Sequence, residues 1–300
     1  MPVSLVLVVA LIGISFAGPL VRLSGAHPLA IAIWRLGFSL AIIGGFLIAT
    51  GTWRQWRRLD RRGFLLAVGG GVMLALHFWT WNTSITMTTV SASVVLVNLQ
   101  PAIVAVLSVV WLKEPPHRRQ WIGIAVAMIG ALVVVLPDVR ASAGTALRNP
   151  VLGDLLAVIG AITAATYVVV GRRLRATLDL WPYVALVYGS CFVALVGFAL
   201  VVQAPVLVQP PREMAIFAAL AIGPMLFGHT GLNWALKYLP AYVVNVTVLG
   251  EPIGATILAA ALPGIREVPT AVTLAGGSLI LAGIYVTARH ASSVARPVHD

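Results

Sequence analysis

The chain has 300 residues, of which 60% are apolar and only 10% are charged, and its mean hydropathy is +0.98. This composition excludes a soluble globular domain, because about 25% of the residues in soluble domains are charged. The formal charge of +11 does not indicate a nucleic-acid-binding protein, because the basic residues other than Arg35 lie between the apolar runs or at their ends. The sequence therefore predicts an all-α protein in a lipid bilayer.

Apolar, uncharged runs of about 20 residues, the length that crosses a bilayer as a helix, occur ten times. In chain order they predict spans at 3–22, 29–49, 63–81, 90–112, 120–137, 152–171, 181–203, 213–232, 241–262 and 268–288. The first run lacks the basic start and cleavage site of a signal peptide, so we expect it to stay as a helix. Cys191 is the only cysteine, which excludes an intrachain disulfide.

The two halves of the chain carry matching residues at matching spacing. Three pairs lie 151 residues apart, namely Asn82 and Asn233, Gln100 and Glu251, and Pro101 and Pro252. Further along, Glu114, Gly123 and Gly130 have the same internal spacing as Glu267, Gly276 and Gly283. The pattern predicts two copies of a five-helix unit, 1–137 and 152–288, joined by an external linker, 138–151, and followed by a cytoplasmic tail, 289–300.

Positive charge is divided unevenly between the two ends of the predicted spans. Fourteen Lys and Arg residues lie on the side that holds both termini, and five lie on the other side. The positive-inside rule therefore places both termini in the cytoplasm. Since each copy has five spans, the second copy starts from the opposite side and is inverted. Inverted repeats of this kind are typical of transporters, which bind substrate near the midplane where interrupted helices meet.

Glu251 and Arg35 are the charged side chains deepest in the predicted spans. A charge in hydrocarbon costs at least about 2.5 kcal/mol, so each of them needs a partner or a role. Glu251 could pair with Arg35, bind a substrate ammonium group, carry a coupling proton or anchor a helix kink by bonding to backbone. Arg35 could bind a substrate carboxylate or extend its charged end to the membrane surface.

Several polar and aromatic side chains are also predicted at depth. His77 and Trp81 share a helix face because they are four residues apart, although Trp81 could instead belong to an interfacial aromatic belt. The remaining candidates for substrate binding are Asn98, Gln100, Tyr167 and Asn245. Polar groups at such positions can also connect helices by hydrogen bonds.

Pro101 and Pro252 lie at the centres of their spans and predict kinks that a moving helix can use for gating. The glycines spaced seven apart in spans five and ten predict close packing against another helix or, in a homodimer, against a second subunit. The chain has no catalytic motif and no metal-ligand spacing, so we expect neither an enzyme nor a cofactor or metal site.

The two groups of five spans, the Gln100–Pro101 and Glu251–Pro252 dipeptides and the E-x8-G-x6-G tails that start at Glu114 and Glu267 resemble the EamA family of the drug/metabolite transporter superfamily. Within that family the aromatic tract HFWTW, residues 77–81, is similar to that of bacterial aromatic amino acid exporters. The resemblance implies a ten-helix fold with a central cavity lined by spans one to four and six to nine, and with spans five and ten outside it.

The resemblance also implies a function. It indicates a secondary transporter of the bacterial inner membrane that exports amino acids, aromatic ones included, by alternating access. One alternative is the export of other small metabolites or cationic drugs, such as nucleobases or paraquat-like compounds. A membrane scaffold or sensor subunit is the rival from a different class, and the mid-span prolines argue against it.

Overall fold

The computed structural model describes residues 2–88, 93, 96–141, 149–261 and 271–289, and all regular structure in these residues is helical. The first half contains α1 (Val3–Ser15), α2 (Ala17–Leu23), α3 (Pro28–Thr50), a 3₁₀ helix (Thr52–Arg58), α4 (Arg61–Met87), α5 (Gln100–Leu107), a π-helical turn (Ser108–Leu112) and α6 (Arg118–Ala141). The second half contains α7 (Pro150–Leu174), α8 (Leu180–Val201), α9 (Pro211–Leu220), a π-helical segment (Ala221–His229), α10 (Thr230–Ala235), α11 (Ala241–Val248), α12 (Glu251–Ala261) and α13 (Ala271–Arg289).

Six helical stretches within the described residues are long and apolar enough to cross a membrane. They are Val3–Val21, Pro28–Thr50, Arg61–Met87, Pro150–Leu174, Leu180–Val201 and Pro211–Ala235. These stretches coincide with the predicted spans one, two, three, six, seven and eight. Two shorter apolar helices, Gln100–Leu112 and Leu274–Arg289, overlap the predicted spans four and ten. The prediction of a helical, multi-pass membrane protein is confirmed.

The two central prolines mark breaks between helices. In the first half a turn precedes α5, and Pro101 is the second residue of that helix. In the second half a turn precedes α12, and Pro252 is its second residue. Proline is well tolerated there because the N–H groups of a first helical turn have no partner within the helix. Each proline therefore starts a new helix at the point where the sequence predicted a kink.

Helices α6 and α13 pack against each other through their glycines. A Cβ atom added at Gly123 would lie 2.8 Å from the carbonyl oxygen of Gly283, and one added at Gly130 would lie 2.7 Å from that of Gly276. The two backbones are thus in direct contact, which side chains would prevent. The glycine faces are occupied within one chain, so a homodimer through them would require α6 and α13 to separate.

The other helices form a body around the interior of the protein. Helix α4 packs against α7 and α8, while α1 packs against the π-helical segment and α10. Helix α3 packs against α8, and a cluster of buried residues lies between them. This arrangement brings residues from both halves of the chain to one central space.

The glycine contact can be tested with a single methyl group. We expect Gly130→Ala to lower the free energy of unfolding by about 1–3 kcal/mol, because the new Cβ forces α6 away from α13. Gly44→Ala in α3 is the matched control, since a Cβ there has nothing within 4 Å and alanine favours the helix. Thermal unfolding in detergent measures both. Equal melting temperatures for Gly130→Ala and the unaltered protein would contradict the contact.

Candidate functional site

A cavity lies in the interior between helices of both halves. All eight side chains that the sequence singled out for substrate binding line it: Arg35, His77, Trp81, Asn98, Gln100, Tyr167, Asn245 and Glu251. Its wall is formed by the predicted spans one to four, six, eight and nine. Within the described residues span seven does not line the cavity, which corrects the expectation that spans six to nine all reach it. Helices α6 and α13 lie outside the cavity, as expected.

The breaks before α5 and α12 place the N-terminal ends of these two helices at the cavity wall. Gln100 and Glu251 are the first residues of these helices, and both line the cavity. Pro101 and Pro252 follow directly and do not line it. Each break therefore delivers one polar side chain to the interior, an amide from the first half and a carboxyl group from the second.

The guanidinium of Arg35 lies inside the protein, with only 1% of the residue exposed. Its central carbon is 4.5 Å from the ring centre of Phe78, and Nη2 is 3.7 Å from the sulfur of Met225. The Nε atom is buried without a hydrogen-bond partner. Among the described residues Arg35 forms no ion pair. The Arg35 side chain therefore lies at the cavity and not at the membrane surface. Its guanidinium contacts the face of the Phe78 ring.

His77 and Trp81 form one aromatic wall of the cavity. Their rings are stacked, with centres 6.1 Å apart and planes 4° from parallel. Nδ1 of His77 lies 3.0 Å from the carbonyl oxygen of Gly160. Because a carbonyl can only accept, Nδ1 must carry the hydrogen, which leaves Nε2 of the neutral ring as an acceptor. Trp81 is largely buried, so it does not belong to an interfacial belt.

Within the described part of the chain, four buried polar atoms on the cavity residues have no hydrogen-bond partner. They are the donors Arg35 Nε, Trp81 Nε1 and Asn98 Nδ2 and the acceptor Asn245 Oδ1. Each such atom costs about 1–3 kcal/mol while it stays unpaired. A small molecule with acceptor groups on one side and a donor on another would satisfy them. The cavity residues therefore offer both hydrogen-bond donors and an acceptor to a polar molecule.

A hydrogen-bonded cluster that the sequence did not reveal lies at one end of the cavity. The amide nitrogen of Asn233 donates to the hydroxyl groups of Tyr167 and Tyr188, the latter at 3.1 Å. The Tyr188 hydroxyl is also 3.1 Å from Oγ1 of Thr230. Asn233 was visible in the sequence only as a repeat position, and nothing there connects it with Tyr188. His229, to which the sequence assigned no role, lines the cavity as well.

Two arginines at the C-terminal end of α7 form hydrogen bonds at the same end of the protein as this cluster. Nη2 of Arg172 lies 2.7 Å from Oε1 of Glu114, and its Nη1 donates to the carbonyl oxygen of Leu236 at 2.7 Å. Arg175, one turn later, donates from Nε to the carbonyl oxygen of Asn233 at 3.1 Å. The C-terminal end of α7 is thus tied to the ends of two other spans. We call the residues Glu114, Arg172, Arg175 and Asn233 the end seal.

Comparison with known proteins bears on what this site does. The model of the EamA-like transporter family matches residues 1–136 and 151–289. No curated protein matches the sequence. A solved structure described as "Crystal structure of protein" is similar over 98% of this chain and 99% of that chain, with a TM-score of 0.79 and 18% sequence identity. At that identity the likeness supports the fold alone.

Two of the three asparagines that line the cavity, Asn233 and Asn98, should behave differently when they are truncated. Asn233→Ala removes the donor shared by Tyr167 and Tyr188, so we expect it to lower the free energy of unfolding by about 1–3 kcal/mol. Asn98→Ala is the control. Its amide nitrogen has no hydrogen-bond partner among the described residues, so we expect the free energy of unfolding to stay the same or to rise. Thermal unfolding in detergent without ligand measures both. Equal destabilisation by the two variants would contradict the division between framework and ligand-facing groups.

Proposed function

This chain belongs to the EamA-like transporter family, and on that premise we propose that it exports amino acids, aromatic ones included, across the bacterial inner membrane. The family consists of transporters, which move small substrates. The observation that carries the finer proposal is that Arg35 and Glu251, two side chains of opposite charge, line one cavity together.

An amino acid fits these two charges because it carries both opposite charges itself. Its carboxylate can accept hydrogen bonds from the unpaired donors of Arg35 and Trp81, and a guanidinium binds a carboxylate more strongly than a neutral donor does. Its ammonium group can donate to Glu251 and to the unpaired oxygen of Asn245. Each ligand charge then neutralises a charge of the protein, which would otherwise be costly at this depth.

The aromatic wall supports a preference for aromatic side chains. The stacked rings of His77 and Trp81 offer a flat face, and Phe78 also lines the cavity. Offset stacking against such rings favours aromatic groups beyond the effect of buried area alone. A substrate ring on this wall would leave its polar end near Arg35.

Nucleobases are a second candidate because amides line the cavity. Asn98, Gln100 and Asn245 offer both donors and acceptors, which suit the polar edges of a base. Cationic drugs of the paraquat type fit less well, since Arg35 would repel them from the same space.

We infer that transport proceeds by alternating access between two inverted five-helix repeats. Three observations support this. The family model matches two segments that correspond to the two copies, and both copies break at the same proline position. The equivalent asparagines also differ in bonding. Asn233 donates to two tyrosines, whereas among the described residues Asn82 contacts the carbonyl oxygen of Pro28 at 3.4 Å and its Oδ1 has no partner. Unequal bonding of two equivalent positions is expected when one end is closed.

The end seal lies on the side that the charge distribution assigns to the cytoplasm. Loading from that side would require Arg172 to release Glu114 and the carbonyl oxygen of Leu236. The breaks at Pro101 and Pro252 provide places where helix ends can shift without disrupting a continuous helix. We therefore propose that the structure represents a conformer closed toward the cytoplasm.

The function is tested by transport into proteoliposomes, over a panel of amino acids and nucleobases, with and without a proton gradient. We expect Glu251→Gln to insert normally but to lose most amino acid transport, because the amide keeps the shape and loses the charge. Gln100→Glu should also impair transport by adding a second acid to the cavity. Gln203→Glu, the same change at an exposed position after α8, should leave the rate unaltered.

Two outcomes would overturn this proposal. One is a wild-type rate and pH profile for Glu251→Gln. The other is transport of nucleobases without any amino acid, which would favour the second candidate.

The orientation is tested by labelling cysteines in intact cells after Cys191, which is buried, has been replaced by alanine. Residues 142–148 of the linker 138–151 lie outside the described residues, so the external probe is placed at Val208, which is 93% exposed. We expect Val208→Cys to react with an impermeant maleimide, and Arg58→Cys to react only after the cells are permeabilised. The reverse pattern would contradict cytoplasmic termini.

A further inference from the structure

A dense group of arginines joins the end of α3 to the start of α4. Arg54, Arg57, Arg58, Arg61 and Arg62 are all exposed. Together with Asp60 they give the segment 54–62 a net charge of +4, from five arginines and one aspartate. We call the five arginines the basic segment.

The charge of the basic segment is not compensated by the protein. Among the described residues none of its arginines forms an ion pair. Asp60, the acid within the segment 54–62, caps α4 by accepting a hydrogen bond of 2.8 Å from the backbone N–H of Gly63. Arg61 and Arg62 lie in the first turn of α4, where the helix dipole disfavours positive charge. These arginines therefore do not stabilise the helix. A bound anion would reduce the unfavourable interaction between their charges and the helix dipole.

The segment is fixed in position. The indole nitrogen of Trp56 donates to the carbonyl oxygen of Pro182 at 2.9 Å. The side-chain amide of Gln55 donates to Oδ2 of Asp179 at 2.6 Å, and the backbone N–H of Asp179 donates back to Gln55 at 3.0 Å. The hydrogen bond from Gln55 lowers the pKa of the Asp179 carboxyl group below its usual value, so that this anchor is ionised at neutral pH. The arginines thus project from an ordered surface.

The exposure of neighbouring side chains indicates the depth of the basic segment in the bilayer. Ile48, at the end of α3, is 76% exposed, and Leu65, in the second turn of α4, is 56% exposed. Apolar side chains exposed on spanning helices face acyl chains, so the basic segment lies where these helices leave the hydrocarbon. Trp53 is partly exposed at the same level, with Arg54 and Arg57 positioned over its ring at 5.6 and 5.8 Å. Tryptophan is enriched at this depth because its ring is amphipathic.

We propose that the basic segment is a docking site for the headgroups of anionic phospholipids. Guanidinium groups bind phosphodiesters through paired hydrogen bonds, and clusters of basic residues beside a spanning helix attract anionic lipids. The acyl chains of a bound lipid would lie along the exposed apolar side chains at the ends of α3 and α4. The proposal does not depend on which substrate the cavity binds.

The test measures lipid binding to purified protein in neutral detergent by native mass spectrometry and by the shift in melting temperature. The probes are phosphatidylglycerol, phosphatidylcholine and inorganic phosphate. We expect phosphatidylglycerol to bind and stabilise the protein, phosphatidylcholine to do neither, and rising ionic strength to weaken the effect. The triple variant Arg54→Gln, Arg57→Gln, Arg58→Gln should lose at least about tenfold in apparent affinity.

The matched control removes the same charge elsewhere. Arg118, Arg173 and Arg289 are exposed, and we expect their joint replacement by glutamine to leave the affinity for phosphatidylglycerol unaltered. The variant Arg54→Lys, Arg57→Lys, Arg58→Lys keeps the charge and should keep most of the binding.

Three results would overturn the proposal. The first is equal binding of the zwitterionic and the anionic lipid by the unaltered protein. The second is an equal loss of affinity in the control variant, which would show a general effect of net charge. The third is displacement of the lipid by inorganic phosphate at comparable concentration, which would indicate a site for free anions.

Discussion

Helices α5 and α12 each begin at a break next to the cavity, and the rest of the structure depends on how those two breaks are accommodated. A helix break leaves backbone polar groups without their usual partners, and lipid cannot supply any. The structure places both breaks at the wall of a polar cavity, next to Gln100 and Glu251. The same space holds the guanidinium of Arg35 against the ring of Phe78. Irregular backbone and buried charge are thus collected in one interior site, away from the acyl chains.

The two halves use their equivalent residues differently. Asn233 and the two tyrosines join α7, α8 and α10 at one end of the cavity, whereas Asn82 leaves its carbonyl oxygen unpaired. Since both asparagines occupy the same place in the repeat, the difference comes from their surroundings. Helices α6 and α13 remain outside this asymmetry, because their glycines bring the two backbones into contact with each other. The contact between α6 and α13 is therefore separate from the residues that line the cavity.

The sequence predicted most of the candidate site because charge and polarity are conspicuous in apolar spans. All eight side chains proposed for substrate binding line the cavity, and helices α5 and α12 begin beside the two central prolines. The sequence did not predict Tyr188 or His229, since an isolated tyrosine or histidine in a span gives no sign of its neighbours. It also left open whether the glycines of spans five and ten face another helix or a second subunit, a choice that depends on which surfaces meet.

The sequence by itself determined the membrane environment and the helical class, because these follow from hydropathy and span length. Only the tertiary structure decided which groups are paired. Arg35 has two alternatives in the sequence, an interfacial and an interior position, and its burial beside Phe78 selects the interior one. The end seal likewise joins Glu114 to Arg172 and Asn233 to Arg175, residues 58 positions apart in each case. Contacts of this kind depend on how helices pack, and no local pattern along the chain encodes that distance.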